Sequence, residues 1–245
     1  MEHLEHKKEK RNERAAIQLG LFLVGLLLFG TAAGGQLTGE EKNGKEKAAI
    51  QTSGGVSDAV EPKKIALTFD DGPHPVYTKI LLDGLAERGA KASFFVTGEN
   101  AEKYPELILR MQKEGHLIGN HTYSHIQLTS DNKEVFREEI VKTNEILKAI
   151  TGENVTYIRP PYGSWDKSLE QDLNMFPVLW NVDPLDWCTP DAGLVMSRVL
   201  QQVEDGDIIL LHDYYDTSVT AALMIVDEMK KQGYEFVTVE EILFD

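Results

Sequence analysis

Short apolar runs alternate with longer amphipathic stretches from residue 63 to the end of the chain. The first apolar run ends abruptly at two carboxylates, Asp70 and Asp71, and Gly72 and Pro73 follow directly. Apolar runs bounded by turn residues indicate strands, whereas amphipathic stretches indicate helices. The pattern predicts strands at 64–69, 92–97, 117–120, 156–159, 178–182, 207–212 and 235–237. It predicts helices at 76–88, 100–113, 133–150, 168–175, 194–203 and 219–231.

The regular alternation of strand and helix predicts an α/β fold, because parallel strands need helical crossovers between them. Seven such units are too few for a full eight-fold barrel. A distorted seven-stranded β/α barrel fits best, and an open doubly wound sheet is the alternative. In both architectures the functional residues are expected at the carboxyl ends of the strands.

The stretch 15–34 is almost wholly apolar and carries no charged side chain. A helix of that length just spans a hydrocarbon core of about 30 Å. Lysines and arginines are frequent within 1–14, so the positive-inside rule makes 1–14 a cytoplasmic tail and places the rest of the chain outside. We therefore expect an uncleaved transmembrane signal anchor. A cleaved signal peptide is the alternative, because Thr31, Ala32 and Ala33 suit a cleavage site.

Residues 35–62 are rich in glycine, serine, lysine, glutamate and threonine. Such a composition buries little apolar surface and predicts a flexible linker. The folded part of the chain is therefore expected at 63–245.

The amino-acid composition excludes several kinds of partner and site. The apolar fraction of 42% is ordinary for a globular protein, and the net charge of −15 argues against nucleic acid as a partner. Cys188 is the only cysteine, which excludes an intrachain disulfide and a thiolate metal cluster. The sequence implies no protein partner.

Ionisable residues follow five of the predicted strands, which would place them on one face of the fold. His121 and His125 are four residues apart, a spacing at which two imidazoles can share one cation. Together with a carboxylate from another strand they would form a catalytic zinc site, which has three protein ligands and an open position. Cobalt, nickel and manganese remain possible in the same ligands.

Five segments together resemble the motifs of the polysaccharide deacetylases, carbohydrate esterase family 4. The segments are Thr68-Phe69-Asp70-Asp71-Gly72-Pro73, His121-Thr122-Tyr123-Ser124-His125, Arg159-Pro160-Pro161-Tyr162-Gly163, Asp183-Pro184-Leu185-Asp186-Trp187 and Leu210-Leu211-His212. The resemblance covers about 63–245. The apolar segment and linker resemble those of anchored peptidoglycan N-acetylglucosamine deacetylases from bacterial cell walls.

The resemblance implies a role for each charged residue of these motifs. Asp71, His121 and His125 would hold the metal. Asp70 would be the general base, and Arg159 would fix Asp70 and balance its charge. His212 would be the general acid, and Asp186 would orient the charged groups around it.

The resemblance also implies how the substrate is held. The backbone N–H of Tyr162 would help to stabilise the oxyanion, and Trp187 and Leu210 would form the walls of the substrate groove. The expected reaction is metal-dependent hydrolysis of the N-acetyl group of N-acetylglucosamine residues in a cell-wall polysaccharide. The favoured polysaccharide is peptidoglycan. Alternatives are chitin-type oligomers, acetylated xylan, a non-sugar amide, or an inactive homologue that only binds glycan. The resemblance implies a bacterial cell membrane location with an extracellular catalytic domain.

Overall fold

A computed structural model of the protein describes residues 62–244, which lie within one compact unit, Asp58–Asp245. Its strands are β1 (Lys63–Asp70), β2 (Ser93–Val96), β3 (Leu117–Asn120), β4 (Tyr157–Ile158), β5 (Phe176–Pro177), β6 (Ile208–His212) and β7 (Tyr234–Phe236). Its helices are α1 (Tyr77–Arg88), α2 (Gly98–Lys103), α3 (Pro105–Lys113), α4 (Lys133–Thr151), α5 (Ser168–Leu173), α6 (Ala192–Leu200), α7 (Asp216–Lys231) and α8 (Val239–Phe244). Two 3₁₀ turns, Pro161–Gly163 and Asp186–Cys188, follow β4 and β5.

The strands form one parallel sheet in the order β5-β4-β3-β2-β1-β6, with β7 paired to the start of β1. The chain just after β5 contacts β4, near one end of this order, and β6, at the other end. The N–H of Val178 donates to the carbonyl of Ile158 in β4, and the carbonyl of Val182 accepts from Leu210 in β6. An open sheet would keep those strands apart, so the sheet is curled, and the open doubly wound alternative is wrong.

The predicted fifth strand, 178–182, is not a strand. Only Phe176–Pro177 pairs with β4, and Val182 forms an isolated bridge to Ile209. The carbonyls of Val178 and Leu179 accept hydrogen bonds from the Arg159 side chain. The segment therefore crosses between two strands instead of extending one of them.

The helix predicted at 100–113 is two helices, α2 and α3. They meet at Tyr104, whose φ of −131° and ψ of 55° are not helical. Pro105 has no N–H to donate to the preceding turn, and it occupies the first position of α3, where proline is favoured. The short helix α8 was not predicted. The other predicted helices are present with shifted ends.

Strand β1 is the centre of the core and leads directly to the functional site. It is buried from Ile65 to Asp70, with parallel neighbours on both sides. Asp70 is only 4% exposed. A buried carboxylate is costly unless it is paired, so the fold must supply Asp70 with a partner.

Among residues 62–244 we find no helix that is both long and apolar enough to cross a bilayer. The longest, α4, has 19 residues and carries charged side chains along its length. The predicted tail 1–14 and membrane segment 15–34 lie outside the described residues, as does the linker 35–62 apart from its last residue.

Candidate metal centre and active site

Asp71, His121 and His125 converge at the carboxyl end of the sheet. Asp71 follows β1, and its Oδ1 lies 3.4 Å from the Nε2 atoms of both His121 and His125. One potential ligand atom from each residue lies within 4.8 Å of the other two. Asp71 Oδ1 is buried and has no hydrogen-bond partner among the described residues. A buried, unpartnered carboxylate oxygen facing two imidazole nitrogens suits a divalent cation.

The two ring nitrogens of His121 have different neighbours, and Nε2 is the one that faces Asp71. Its Nδ1 lies 2.6 Å from the carbonyl oxygen of Arg159. A carbonyl only accepts hydrogen bonds, so Nδ1 carries a proton, and in the neutral ring that a metal binds the lone pair is then on Nε2. Metal-binding histidines are usually held in this way by their second nitrogen. The residues present therefore fit zinc, and they also fit cobalt, nickel or manganese.

Loop residues of the site adopt left-handed backbone conformations that are unusual for residues with a Cβ. The φ angles are 72° at Asp71, 60° at His125, 59° at Tyr162 and 58° at Leu185. Each such residue costs roughly 1–3 kcal/mol, and surrounding contacts must hold it in place. Residues of this kind are concentrated at functional sites, as they are at these strand ends.

The buried Asp70 has its partner in Arg159, which is fully buried beside it. Asp70 Oδ1 lies 2.9 Å from Nη1 of Arg159, which also donates to Thr68 Oγ1 at 2.6 Å. The guanidinium carbon lies 4.3 Å from the centre of the Phe95 ring. An arginine held on this many sides offsets the negative charge of a buried carboxylate. The sequence predicted the pairing of Asp70 with Arg159.

Thr68 was not predicted to belong to the site. It lies two residues before Asp70, on the same face of β1, and that spacing in the strand was the available signal. Its hydroxyl donates to the carbonyl of Ile209 at 2.7 Å and accepts from Arg159. Thr68 thus helps to position the guanidinium between β1 and β6.

His212 and Asp186 form the second charged pair of the site. His212 Nδ1 lies 2.9 Å from Asp186 Oδ1, and the backbone N–H of His212 donates to Asp186 Oδ2 at 2.8 Å. Burial by itself lowers the pKa of His212, but the hydrogen bond and charge of Asp186, together with the charges of Asp70 and Asp71, outweigh it and raise that pKa to about 9. The imidazole is therefore protonated at neutral pH and can donate a proton.

The three predicted substrate-binding residues differ in exposure. Tyr162 is 66% exposed, with its ring centre 4.9 Å from that of His125. Trp187, in the 3₁₀ turn that begins at Asp186, is 55% exposed. Both therefore offer aromatic faces to a ligand. Leu210 is only 5% exposed in β6, so it offers little surface to a sugar.

Comparison with known proteins agrees with this arrangement. The family described as polysaccharide deacetylase matches residues 57–178. The peptidoglycan-N-acetylmuramic acid deacetylase PdaC of Bacillus subtilis (strain 168) is 42% identical over 187 residues, which cover 76% of this chain and 40% of PdaC. A peptidoglycan-N-acetylglucosamine deacetylase of Bacillus cereus is 38% identical over 189 residues, covering 74% of this chain and 88% of that protein.

A solved structure of the Bacillus subtilis peptidoglycan deacetylase PdaC has the same fold. It matches with a TM-score of 0.72 and 42% identity, over 74% of this chain and 90% of the solved chain. This chain spans less than half of the full length of PdaC, so the match concerns the deacetylase region. The motif residues, the fold and these relatives lead to one conclusion: the chain belongs to the polysaccharide deacetylase family, carbohydrate esterase family 4.

Proposed function

We propose that the protein is a metal-dependent hydrolase that removes the acetyl group from N-acetylglucosamine residues of peptidoglycan. The observation that carries the proposal is the juxtaposition of a candidate metal site with two charged pairs. Asp71, with His121 and His125, lies beside the Asp70–Arg159 pair. The pair of His212 and Asp186 follows on β6, the strand next to β1.

The two charged pairs supply the proton acceptor and the proton donor that amide hydrolysis needs. A divalent ion held by Asp71, His121 and His125 would polarise the acetyl carbonyl and lower the pKa of a bound water towards about 7. Asp70, paired with Arg159, takes a proton from the attacking water. The amide C–N bond breaks as His212 gives its proton to the leaving nitrogen, and the products are acetate and a free amine.

Each catalytic group has a defined support. A positioned acid or base is typically worth 10²–10⁴-fold in rate. Two hydrogen bonds to Asp186 fix the orientation of His212. The presence of both groups with their supports favours an enzyme over an inactive homologue that only binds glycan.

Peptidoglycan is proposed as the substrate because the named relatives act on it, one at N-acetylmuramic acid and one at N-acetylglucosamine. The exposed rings of Tyr162 and Trp187 provide stacking surfaces for sugars of either kind. Loops around the groove determine the choice between them, and fold alone does not. We propose zinc as the resident metal, with cobalt, nickel and manganese as substitutes.

We further propose that 15–34 anchors the protein in the bacterial cell membrane by a single helix, with the catalytic domain outside. The proposal rests on the uncharged apolar stretch and the basic residues before it. Secretion after signal-peptide cleavage is the alternative. Protease treatment of intact cells, followed by sizing of the membrane-bound product, distinguishes a retained anchor from a cleaved one.

The reaction is tested by incubating the full chain with purified peptidoglycan and, separately, with chitin oligomers. Each substrate is incubated without chelator, with chelator, and with chelator followed by excess zinc. We expect muropeptides that have lost one acetyl group per modified sugar, no product with chelator, and recovery with zinc. Fragmentation of the muropeptides assigns the sugar attacked. Glycan binding without acetate release would overturn the proposed activity, and acetate release from chitin oligomers alone would overturn the proposed substrate.

A further inference from the structure

Glu139, on α4, holds the loop that carries both histidines of the candidate metal site. Its Oε2 accepts hydrogen bonds from the backbone N–H groups of Tyr123, at 3.2 Å, and Ser124, at 2.9 Å. Its Oε1 accepts from the hydroxyl of Ser124 at 2.6 Å. Three donors from two consecutive residues thus converge on one half-buried carboxylate.

The loop needs such support because its backbone conformation is locally unfavourable. Thr122 and His125, on either side of the two residues that Glu139 binds, have φ angles of 63° and 60°. Residues with a Cβ rarely adopt this conformation, so contacts from elsewhere must maintain it. Successive N–H groups in such a turn form a concave site for an anion, and the carboxylate of Glu139 occupies it.

The two histidines of this loop are fixed to different degrees. His121 continues β3, where its N–H donates to the carbonyl of Val96, and its ring is held by the carbonyl of Arg159. His125 has weaker support. Its Nε2 faces Asp71, its ring centre lies 4.9 Å from those of His121 and Tyr162, and within 62–244 no hydrogen bond fixes its other ring nitrogen. With no hydrogen bond to fix the ring, the backbone of the loop contributes to its position.

We propose that Glu139 is a positioning residue for the metal centre, setting the His125 imidazole at its distance from Asp71. Glu139 is not part of the cluster of potential ligands, which consists of Asp71, His121 and His125. The inference deepens the proposed function, since it assumes that the three-residue cluster binds a metal. It concerns metal affinity and does not depend on which glycan is attacked.

The test measures the zinc affinity of the full chain by competition with a chromogenic chelator, in the absence of any glycan. The variant Glu139→Ala removes all three hydrogen bonds, and Glu138→Ala removes an exposed carboxylate from the neighbouring position of the same helix. Loss of a residue that orients a metal ligand typically costs 10–100-fold in metal affinity, so we expect a loss in that range for Glu139→Ala. Glu138→Ala should bind zinc like the parent.

Two further variants keep the proposal testable if Glu139→Ala does not fold. Glu139→Gln retains an oxygen acceptor but no charge, so its zinc affinity should lie between those of the parent and Glu139→Ala. Ser124→Ala removes only the hydroxyl contact and should cause a smaller loss. Zinc affinities of Glu139→Gln and Ser124→Ala that both equal that of the Glu138→Ala control would overturn the proposal.

A purely structural role of Glu139 would give a different result. It would lower the melting temperature of the chelator-treated protein and leave zinc affinity unchanged in the folded population, which would count against the proposal. The readout is also separate from the proposed activity. If the parent binds zinc but releases no acetate, the proposed function fails, while the effect of Glu139 on zinc affinity still decides the inference.

Discussion

Gly72 packs directly against the carboxyl group of Asp213, so closely that no larger residue fits. A Cβ added to Gly72 would meet both oxygens of Asp213 and lie 2.7 Å from its Cγ. Asp213 is fully buried, and burial raises its pKa to about 7 although a hydrogen bond from Thr78 opposes this. The same Thr78 hydroxyl accepts from the N–H of His74 at 2.7 Å. The loop after Asp71 is thereby held against the residue that follows His212.

Gly72→Ala should destabilise the protein by about 1–3 kcal/mol, because an added methyl group in a closely packed place forces its neighbours apart. Urea unfolding measures this change. Combining it with Asp213→Ala removes the atoms that clash. The two changes should therefore be non-additive, with an interaction of about 0.5–3 kcal/mol. Simple additivity of the two effects would show that the contact does not limit residue 72.

Asp70→Asn should abolish turnover while leaving metal binding in place. The amide cannot take a proton from water, and loss of a positioned base costs typically 10²–10⁴-fold in kcat. Asp71, His121 and His125 are unchanged in this variant, so zinc content measured by atomic absorption should equal that of the parent. Parental acetate release by Asp70→Asn would exclude Asp70 as the base.

Asp186→Asn should shift the pH dependence of activity. Asp186 helps to raise the pKa of His212 to about 9, so the acid form of His212 persists at neutral pH and is lost as the pH rises through that value. Without the charge of Asp186, the pKa of His212 falls, and the alkaline limb of the kcat/KM profile should move to lower pH. An alkaline limb at the parental position would contradict the assignment of His212 as the acid.

The same pair gives a signed prediction for stability. A histidine with a raised pKa stabilises the folded state fully below its ordinary pKa of about 6.5. That contribution declines as the pH rises from about 6.5 to about 9, where folded His212 loses its proton. The parent should therefore lose more stability than Asp186→Asn over this interval in urea unfolding. Parallel pH profiles for the two proteins would contradict the raised pKa.

His125→Ala should weaken zinc binding, because it removes one of three ligands. His74→Ala is the matched control. His74 lies three residues after Asp71, but its ring stacks on Tyr77, with centres 4.6 Å apart, and is not part of the ligand cluster. Chelator competition should show a large loss of affinity for His125→Ala and little change for His74→Ala. Parental zinc affinity in His125→Ala would remove it from the ligand set.

Much of the site could be predicted because its chemistry is carried by residue types at strand ends. Parallel strands bring their carboxyl ends to one edge, so Asp71 after β1 and His121 after β3 were expected to meet, and the structure brings them together. The resemblance to the family implied the pairing of Asp70 with Arg159, whose side chains lie 2.9 Å apart. For nearly every element, the spacing of its hydrophobic residues correctly predicted whether it is a strand or a helix.

What the sequence by itself determined is therefore the α/β class, the parallel pairing of the strands and the identity of the charged residues, since local period and residue chemistry encode these. Only the tertiary structure decided the order of the strands, the curl of the sheet and the contacts that hold those residues in place. The carbonyls of Val178 and Leu179 accept from Arg159, and Gly72 packs against the carboxyl group of Asp213. Each contact joins segments far apart in the chain, and no local pattern encodes the distance between them.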